Sequence, residues 1–165
     1  MEALYYHNWR SPIGSLLLVA SGRGLVRLEF QGDTKLDWLQ SREKADWIES
    51  PEKLKPYRRE LEEYFAGKRR EFTFPLDLRG TDFQKKCWGA LLHIPYGETR
   101  SYADIARAIG RPKAVRAVGG ANHQNPVAIV VPCHRVIGSG GSLTGYGGGL
   151  PLKEKLLQLE GARLF

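Results

Sequence analysis

A cysteine and a histidine stand side by side in the segment Pro132-Cys133-His134-Arg135-Val136. A thiol becomes a nucleophile by losing its proton, and a neighbouring base or cation favours that loss. His134 is such a base and Arg135 such a cation. The preceding run NPVAIVV predicts a buried strand ending at Pro132, so we expect Cys133 at a strand end that faces a cleft. Neighbours on a strand point to opposite sides, so His134 would reach the thiol through a bend or a bridging water.

A third residue of this group is a glutamate at the end of the helix predicted over PLKEKLLQLE, which the following glycine terminates. Leu152, Leu156 and Leu159 mark the buried face of that helix, and Glu160 lies at its border. A carboxylate in the last turn opposes the helix dipole and needs a partner, while a histidine base needs an acidic residue to orient it. Pairing Glu160 with His134 meets both needs. The alternative is an ordinary exposed glutamate at the end of a helix, and the residues alone favour that alternative.

A glycine-rich segment, IGSGGSLTGYGGGLP, separates these elements and holds a single aromatic residue, Tyr146. A segment with so few side chains offers its backbone N–H and C=O groups directly to a ligand. It lacks the GxxxxGK[ST] spacing of a phosphate-binding loop, so that hypothesis is weak. A slot for a flat polar base fits the segment as well.

Two short helices are predicted upstream, within YGETRSYADIARAIGRPKAVRAVGGANHQN. Ser101 and Asp104 have the spacing of a capping box and begin the first helix. Gly110 ends it, and Pro112 suits the first position of the second helix. Two short helices joined by a glycine-containing turn are typical of a helix-turn-helix, although many such hairpins bind nothing.

The second of these helices has an unusual outer face. Val118 and Val115 are predicted to lie inward, which leaves Arg116, Gly119, Gly120 and His123 on the opposite side. Each glycine inside a helix costs roughly 1 kcal/mol relative to alanine, so their presence indicates that another backbone approaches closely. We favour contact of Arg116 with DNA. The alternative is a helix packed tightly on a neighbour, with Arg116 merely solvated.

Charge and composition restrict the classes of function. Residues 81–165 carry 11 Lys/Arg against 5 Asp/Glu, a balance of +6, whereas residues 1–80 carry 14 against 13. The basic second half indicates either a polyanionic partner or a surface chosen for solubility. The chain has no apolar stretch long enough for a membrane span and no signal-peptide pattern, so we expect an intracellular, cytoplasmic protein. Two cysteines, Cys87 and Cys133, fit a reducing compartment.

The first half of the chain predicts a small α+β domain. SLLLVAS and LVRLEF flank a Gly-Arg-Gly turn and predict a β-hairpin, and a helix with an apolar face ends at Gly67. Phe72, Phe74 and Leu76 alternate as in a strand, which Pro75 would restrict to a sheet edge. We place the boundary after residue 78, giving domains 1–78 and 79–165.

The second domain is predicted to be mainly helical and to contain the helix-turn-helix. Thr81 and Gln84 form a further capping-box pattern at its start. Phe83, Cys87, Leu91 and Ile94 then recur at helical spacing, so Cys87 is expected to be a small buried residue without chemistry. The predicted fold class is therefore α+β: a small sheet-plus-helix domain followed by a helical domain.

The segments PCHRV, YGETRSYADIA, PKAVRAVGGAN and GSLTGYGGGLPLKEKLLQLEG together resemble the O6-alkylguanine-DNA alkyltransferases, the methylated-DNA–protein-cysteine methyltransferases. The similarity runs from about Thr81 to Gly161 and is looser in the first domain, for which it implies a ribonuclease H-like fold. It implies a DNA repair protein that flips O6-alkylguanine out of the duplex and transfers the alkyl group irreversibly to its own cysteine. Since a thioether cannot be hydrolysed, each molecule would act once.

The resemblance also implies roles for individual residues. Cys133 would take the alkyl group, His134 would deprotonate it through water, and Glu160 would orient His134. Asn125 would brace the active-site turn, and Tyr146 would donate a proton to guanine N3. Backbone groups of Cys133 and Val136 would bind the exocyclic amine, and the amide of Gly147 would bind O6. The implied DNA-binding residues are Tyr102, Ala114, Arg116, Gly119 and Arg135, with Tyr102 against a phosphate and Arg116 in the gap left by the flipped base.

Some positions depart from the family pattern. Gly147 replaces a frequent serine, which should be harmless because only its backbone amide is expected to act. Thr144 and Gly145 replace glycine-asparagine and Ala128 replaces a frequent proline, and these changes leave the tolerance for bulky adducts open. Some relatives hold zinc in the first domain, but this chain has no cysteine before Cys87, so we expect no metal and no cofactor. We expect a monomer that binds double-stranded DNA. Two alternatives stay open: a Cys-His-Glu hydrolase, and a damage-sensing DNA-binding protein without transfer.

Overall fold

The computed structural model describes residues 1–30, 32–138, 140–141 and 144–162, with the backbone alone for residues 32–34. The chain forms two compact units, Met1–Arg79 and Gly80–Phe165. Within the described residues, no helix is long and apolar enough to cross a bilayer. The fold class is the predicted one, with a small sheet and helices in the first unit and a helical second unit.

The first unit contains a four-stranded sheet in the order β3-β2-β1-β4. Its strands are β1 (Ala3–Ser11), β2 (Gly14–Ala20), β3 (Leu25–Phe30) and β4 (Asp46–Glu49). Strands β2 and β3 pair antiparallel, which confirms the predicted hairpin, and β1 pairs antiparallel with β2 and parallel with β4. The leucines of β2 are fully buried, because this strand lies inside the sheet.

Two helices complete this unit, α1 (Gly32–Arg42) and α2 (Pro51–Phe65). Ser50 caps α2 by accepting a hydrogen bond from the backbone of Lys53. Leu54, Leu61 and Tyr64 of α2 are buried. Gly67 has a φ of 73°, the left-handed conformation that ends a helix, so this end of the helix was predicted correctly.

The strand predicted over Phe72–Leu76 is wrong. Leu76 forms only a single bridge, to Leu25, and the segment is otherwise irregular. The alternation of its side chains is nevertheless real: Phe74 packs edge-on against Tyr57, and Phe72 contacts Tyr64. The alternating pattern therefore reflects aromatic packing of Phe72 and Phe74 on α2, and only Leu76 joins the edge of the sheet, at Leu25.

The second unit is built from four helices among its described residues: α3 (Asp82–Leu91), α4 (Tyr102–Ala108), α5 (Val115–His123) and α6 (Leu150–Leu159). Two short strands, β5 (Arg100–Ser101) and β6 (Val136–Ile137), pair in parallel. Helix α5 packs against both α3 and α4, and the Trp88 indole N–H donates to the carbonyl of Ala121 at 2.8 Å. This buried bond joins α3 to α5.

The ends of these helices agree with the ends predicted from the sequence, with one exception. The capping boxes of Thr81 with Gln84 and of Ser101 with Asp104 are both formed. Gly110 ends α4 with a φ of 75°. Helix α5, however, begins at Val115 and not at Pro112, because residues 111–114 form a turn first.

Candidate active site

The segment before the cysteine is buried but is not the predicted strand. Residues 128–130 form turns between a bridge residue, Val127, and a bend at Val131; the Val130 N–H donates to the carbonyl of Ala128 and the Val131 N–H to that of Val127. Ile129 adopts a φ of 72°, a conformation that a β-branched residue takes only under strain of about 1–3 kcal/mol. The buried surroundings hold the segment in this shape.

Cys133, His134 and Arg135 form one turn of 3₁₀ helix, which we call the reactive turn. The N–H of Cys133 donates to the carbonyl of Val131, and the N–H of Arg135 to that of Pro132. The residues directly before Cys133 form no strand, so the expected strand end is wrong, and the side chain is only 6% exposed. The compact turn replaces the alternation of a strand, and all three of its residues are buried.

Asn125 holds the reactive turn, as the resemblance implied. Its side-chain N–H₂ donates to the carbonyl of Val131 at 2.8 Å and to the sulfur of Cys133 at 3.1 Å. Its side-chain oxygen accepts the N–H of Val127 at 3.0 Å. One amide therefore fixes both ends of the segment before the cysteine, and it also contacts the thiol.

Burial strongly disfavours the thiolate of Cys133. It raises the pKa of this thiol to about 11, although the hydrogen bond from Asn125 and the positive charge of Lys153 oppose the shift. A thiol with such a pKa is almost wholly protonated at neutral pH. Nucleophilic attack by Cys133 therefore needs a base.

His134 and Glu160 form the predicted pair, with 2.8 Å between His134 Nε2 and Glu160 Oε2. Both side chains are fully buried, so the alternative of an exposed terminal glutamate is wrong. Burial lowers the pKa of His134 below its ordinary value of 6.5, although Glu160 opposes this, so the ring is neutral at pH 7.

The contact with Glu160 also assigns the tautomer of His134. A carboxylate only accepts hydrogen bonds, so Nε2 carries the hydrogen and Nδ1 keeps its lone pair. Nδ1 is buried and has no hydrogen-bond partner among the described residues. The ring is thus arranged to take up a proton at Nδ1, and Glu160 would stabilise the cation that results.

Arg135 does not lie where the resemblance placed it. Its guanidinium is buried and binds Glu160 through two bonds, from Nε to Oε1 at 2.8 Å and from Nη2 to Oε2 at 2.9 Å. Its remaining Nη1 donates to the carbonyl of Ile94 at 2.7 Å. A guanidinium with these internal partners is not presented to a phosphate, so the expected DNA contact of Arg135 is wrong, and Arg135 is instead the buried ion-pair partner of Glu160.

Glu160 keeps its charge despite its burial. Burial alone would raise the pKa of this carboxyl, but the hydrogen bonds from His134 and Arg135 outweigh that effect and lower it to about 2. Gly97 has a φ of 84°, and a Cβ there would lie 3.1 Å from the carbonyl oxygen of Glu160. The backbone is therefore packed closely around the end of α6.

Lys153 is a buried residue of the site that the sequence analysis missed. Its Nζ donates to the carbonyl of Val136 at 2.6 Å and to that of Thr144 at 3.1 Å. The predicted buried face of α6 is also shifted: Leu156 and Leu157 are buried, whereas Leu152 and Leu159 are only half-buried. Lys153 precedes Leu156 by three residues and Glu160 by seven, a helical spacing that could have revealed it.

The glycine-rich segment begins where the reactive turn ends, and its residues 139, 142 and 143 lie outside the described part of the chain. Tyr146 is half-buried, and Gly147 is exposed with open space at its Cβ position. The Tyr102 hydroxyl and the Thr144 hydroxyl are hydrogen-bonded at 2.9 Å. Residues near the start of α4 and residues beside Tyr146 are thus in direct contact.

The outer face of α5 has the predicted form, apart from one valine. Arg116, Gly120 and His123 are exposed, and a Cβ added at Gly119 or Gly120 would meet nothing within 4 Å. The alternative of a helix packed tightly on a neighbour at these glycines is therefore wrong. Val115 is 38% exposed and does not lie inward as expected, because it is the first residue of the helix.

Comparison with known proteins places these features in a family. Residues 82–162 match the model of the 6-O-methylguanine DNA methyltransferase DNA binding domain, and residues 4–78 match that of its ribonuclease-like domain. A methylated-DNA–protein-cysteine methyltransferase of Methanosarcina barkeri is 51% identical over 162 residues, which cover 95% of this chain and 97% of the relative.

Two solved structures from Mycobacterium tuberculosis are similar over almost the whole chain. The O6-methylguanine methyltransferase is 49% identical with a TM-score of 0.84, covering 96% of this chain and 93% of that one. The OGT in complex with DNA is 48% identical with a TM-score of 0.83, covering 96% and 92%. These similarities include both units of the chain.

Proposed function

The chain belongs to the 6-O-methylguanine DNA methyltransferase family, and we propose that Cys133 is the residue to which it transfers the alkyl group. The protein is a DNA repair protein, a methylated-DNA–protein-cysteine methyltransferase, and its partner is DNA. The observation that supports Cys133 most strongly is its position in the reactive turn, bonded to Asn125 and next to the His134–Glu160 pair. The two alternatives, a hydrolase and a sensor without transfer, are not favoured by the relatives.

The proposed reaction is a direct displacement at the alkyl carbon. His134 takes the thiol proton of Cys133 at Nδ1, either directly or through water, and Glu160 stabilises the imidazolium. The sulfur of Cys133 then forms a bond to the alkyl carbon while the bond from that carbon to guanine O6 breaks. The electron pair of the broken bond stays with the guanine.

Tyr146 and three backbone groups would bind the guanine and make it a better leaving group. A proton from the Tyr146 hydroxyl to N3 neutralises the charge that the base gains as O6 departs. The amide N–H of Gly147 would bind O6, and the carbonyls of Cys133 and Val136 would bind the exocyclic amine. Those carbonyls also accept the N–H of Val136 and Nζ of Lys153, which uses one of the two lone pairs on each.

The target base has to leave the duplex before it can react, because the O6 alkyl carbon of a stacked base is out of reach of a buried thiol. Arg116, on the open outer face of α5, would fill the gap that the base leaves. Gly119 and Ala114 of the same element would let the DNA backbone approach, and Tyr102 would press against the phosphate beside the lesion. Exposed basic residues at these helices add to the attraction: Arg107, Arg111 and Lys113.

The product determines that each molecule acts once. The thioether on Cys133 has no carbonyl for water to attack, unlike the thioester of a cysteine hydrolase. Both described cysteines are free thiols, a state that fits a reducing compartment, and we propose a cytoplasmic location on that ground.

Mass spectrometry of the protein mixed with duplex DNA containing O6-methylguanine tests the assignment of Cys133. We expect the mass of one methyl group on the peptide of Cys133 and none on that of Cys87. Cys133→Ser is expected to bind the duplex without transfer, and Cys87→Ser to transfer normally. A methyl group on any other residue would overturn the assignment.

A further inference from the structure

Lys153 is fully buried, which is unusual for a lysine. Buried lysines are normally paired with a carboxylate, but Lys153 forms no salt bridge to any carboxylate within the described residues. The carboxylate of Glu160, on the same helix, is occupied by His134 and Arg135. Within the described part of the chain, the ammonium group of Lys153 is therefore bound by main-chain carbonyls.

These two carbonyls belong to the segments on either side of the proposed substrate. Val136 directly follows the reactive turn, and Thr144 precedes Tyr146 by two residues. One ammonium group thus ties the reactive turn to the segment that carries the proposed proton donor.

The charge of Lys153 also acts on the thiol. The charge of Lys153 lowers the pKa of Cys133, although burial raises that pKa by more. Burial lowers the pKa of Lys153 itself to about 8, and the charge on Cys133 partly opposes this shift. His134 is the other titratable group affected by Lys153. Beyond His134, Glu160 and Arg135 form a bidentate pair whose charges largely cancel.

We propose that Lys153 is a positioning residue of the alkyl transfer: its ammonium joins the reactive turn to the Tyr146 segment and stabilises the Cys133 thiolate as it forms. This inference rests on the proposed function of Cys133 for its meaning in repair. Its electrostatic part concerns the thiol alone and can be tested without DNA.

Iodoacetamide is a suitable probe, because the thiolate attacks its CH₂ group, forms an S–C bond and releases iodide. The rate on Cys133 is followed by peptide mass spectrometry, which separates it from Cys87. Lys153→Gln keeps a hydrogen-bond donor and removes the charge. A cation near a thiol lowers its pKa by about one unit or more, so removing the charge leaves less thiolate at neutral pH. The thiolate that remains has a higher pKa and is intrinsically more reactive, which offsets part of this effect. We therefore expect the alkylation rate of Cys133 to fall about three- to tenfold at neutral pH.

The pH dependence separates the charge from a structural effect. As the pH rises past about 8, Lys153 of the unmodified protein loses its own proton, and its rate should approach that of Lys153→Gln. Lys155→Gln removes an exposed lysine of the same helix and should react like the unmodified protein at every pH. A difference between Lys153→Gln and the unmodified protein that is absent, or the same at every pH, would overturn the proposal.

If Lys153→Gln does not fold, the unmodified protein decides the question alone. The logarithm of its alkylation rate should rise with unit slope at neutral pH and flatten above about 8, as the charge of Lys153 is lost. A unit slope that continues unbroken through this range would contradict the proposal. Methyl transfer from DNA is measured separately, so failure of the proposed function would leave these alkylation results intact.

Discussion

Glu160→Gln replaces the carboxylate that two buried side chains share. Glu160 Oε2 contacts His134 at 2.8 Å, and both carboxylate oxygens accept bonds from Arg135 at 2.8 and 2.9 Å. Glutamine has nearly the same shape but no charge, and its N–H₂ group would face a donor. The substitution is therefore expected to change both the stability of the protein and the rate of alkyl transfer.

The loss of stability should be large, because Arg135 would remain buried without a counter-charge. Removing one partner of a buried ion pair costs about 3–5 kcal/mol, whereas replacing both by apolar groups is often close to neutral. The double variant Glu160→Gln with Arg135→Met should therefore be less destabilised than the sum of the single variants, by about 2–3 kcal/mol. Glu154→Gln, an exposed control on the same helix, should stay within about 0.5 kcal/mol.

The rate of alkyl transfer should respond differently to the loss of Glu160 and to the loss of Arg135. Glu160→Gln removes the charge that supports His134 as a base, and general-base catalysis is worth about 10²–10⁴-fold, so we expect a loss of at least about tenfold. Arg135→Met leaves Glu160 to His134 alone and removes a charge that lowers the pKa of His134. Its rate per folded molecule should be retained.

The assay combines urea unfolding with single-turnover transfer from duplex DNA, with rates corrected for the folded fraction. The opposite behaviour of the two single variants is the critical result. If folded Glu160→Gln transferred at the unmodified rate, Glu160 would hold Arg135 in place and have no part in catalysis. If Arg135→Met lost as much rate as Glu160→Gln, the pair would act through structure alone.

Three further predictions concern the base, the turn and the DNA face. Burial lowers the pKa of His134 below 6.5, so on acidification the unfolded chain protonates this histidine before the folded protein does. The stability that neutral His134 contributes is therefore complete above about pH 6.5 and is lost as the pH falls through the pKa of the folded protein. Urea unfolding across that pH range would reveal the loss. Asn125→Ala leaves buried hydrogen-bond partners unsatisfied and should lower the free energy of unfolding by about 1–3 kcal/mol, as measured by thermal unfolding. It should also slow iodoacetamide alkylation of Cys133. An unchanged melting temperature would contradict the bracing role. Arg116→Ala should weaken repair of duplex lesions by about 1–3 kcal/mol and spare free O6-alkylguanine, with Lys155→Ala as the exposed control; equal losses on both substrates would refute the wedge.

Much of the site could be predicted because several of its reactive residues lie close together in short segments of the sequence. The adjacent cysteine and histidine indicated a nucleophile and a base, and the need of a histidine base for an acidic partner predicted the contact with Glu160 that the structure contains. The capping boxes at Thr81 and Ser101 were equally local, since each requires residues only three positions apart. Such features depend little on the rest of the fold.

The errors arose where side-chain contacts that a hydrophobic pattern does not show decide the outcome. An apolar run such as NPVAIVV has the same pattern in a strand and in a buried loop, and the bonds of Asn125 selected the loop. The position of Arg135 depends on Glu160, which is 25 residues away. The helical spacing of Lys153 could have indicated its burial, but its partners are two main-chain carbonyls, which the residue types do not identify.

The central claim is that the alkyl group moves once, from guanine O6 to Cys133. The most direct test uses duplex DNA whose O6-methylguanine carries a deuterated methyl group, supplied in large excess over the protein. The label on the Cys133 peptide and the restored guanine in the DNA should rise together and stop at one equivalent of protein. Restored guanine that continues to form beyond one equivalent, or label released into solution, would contradict the single-turnover transfer.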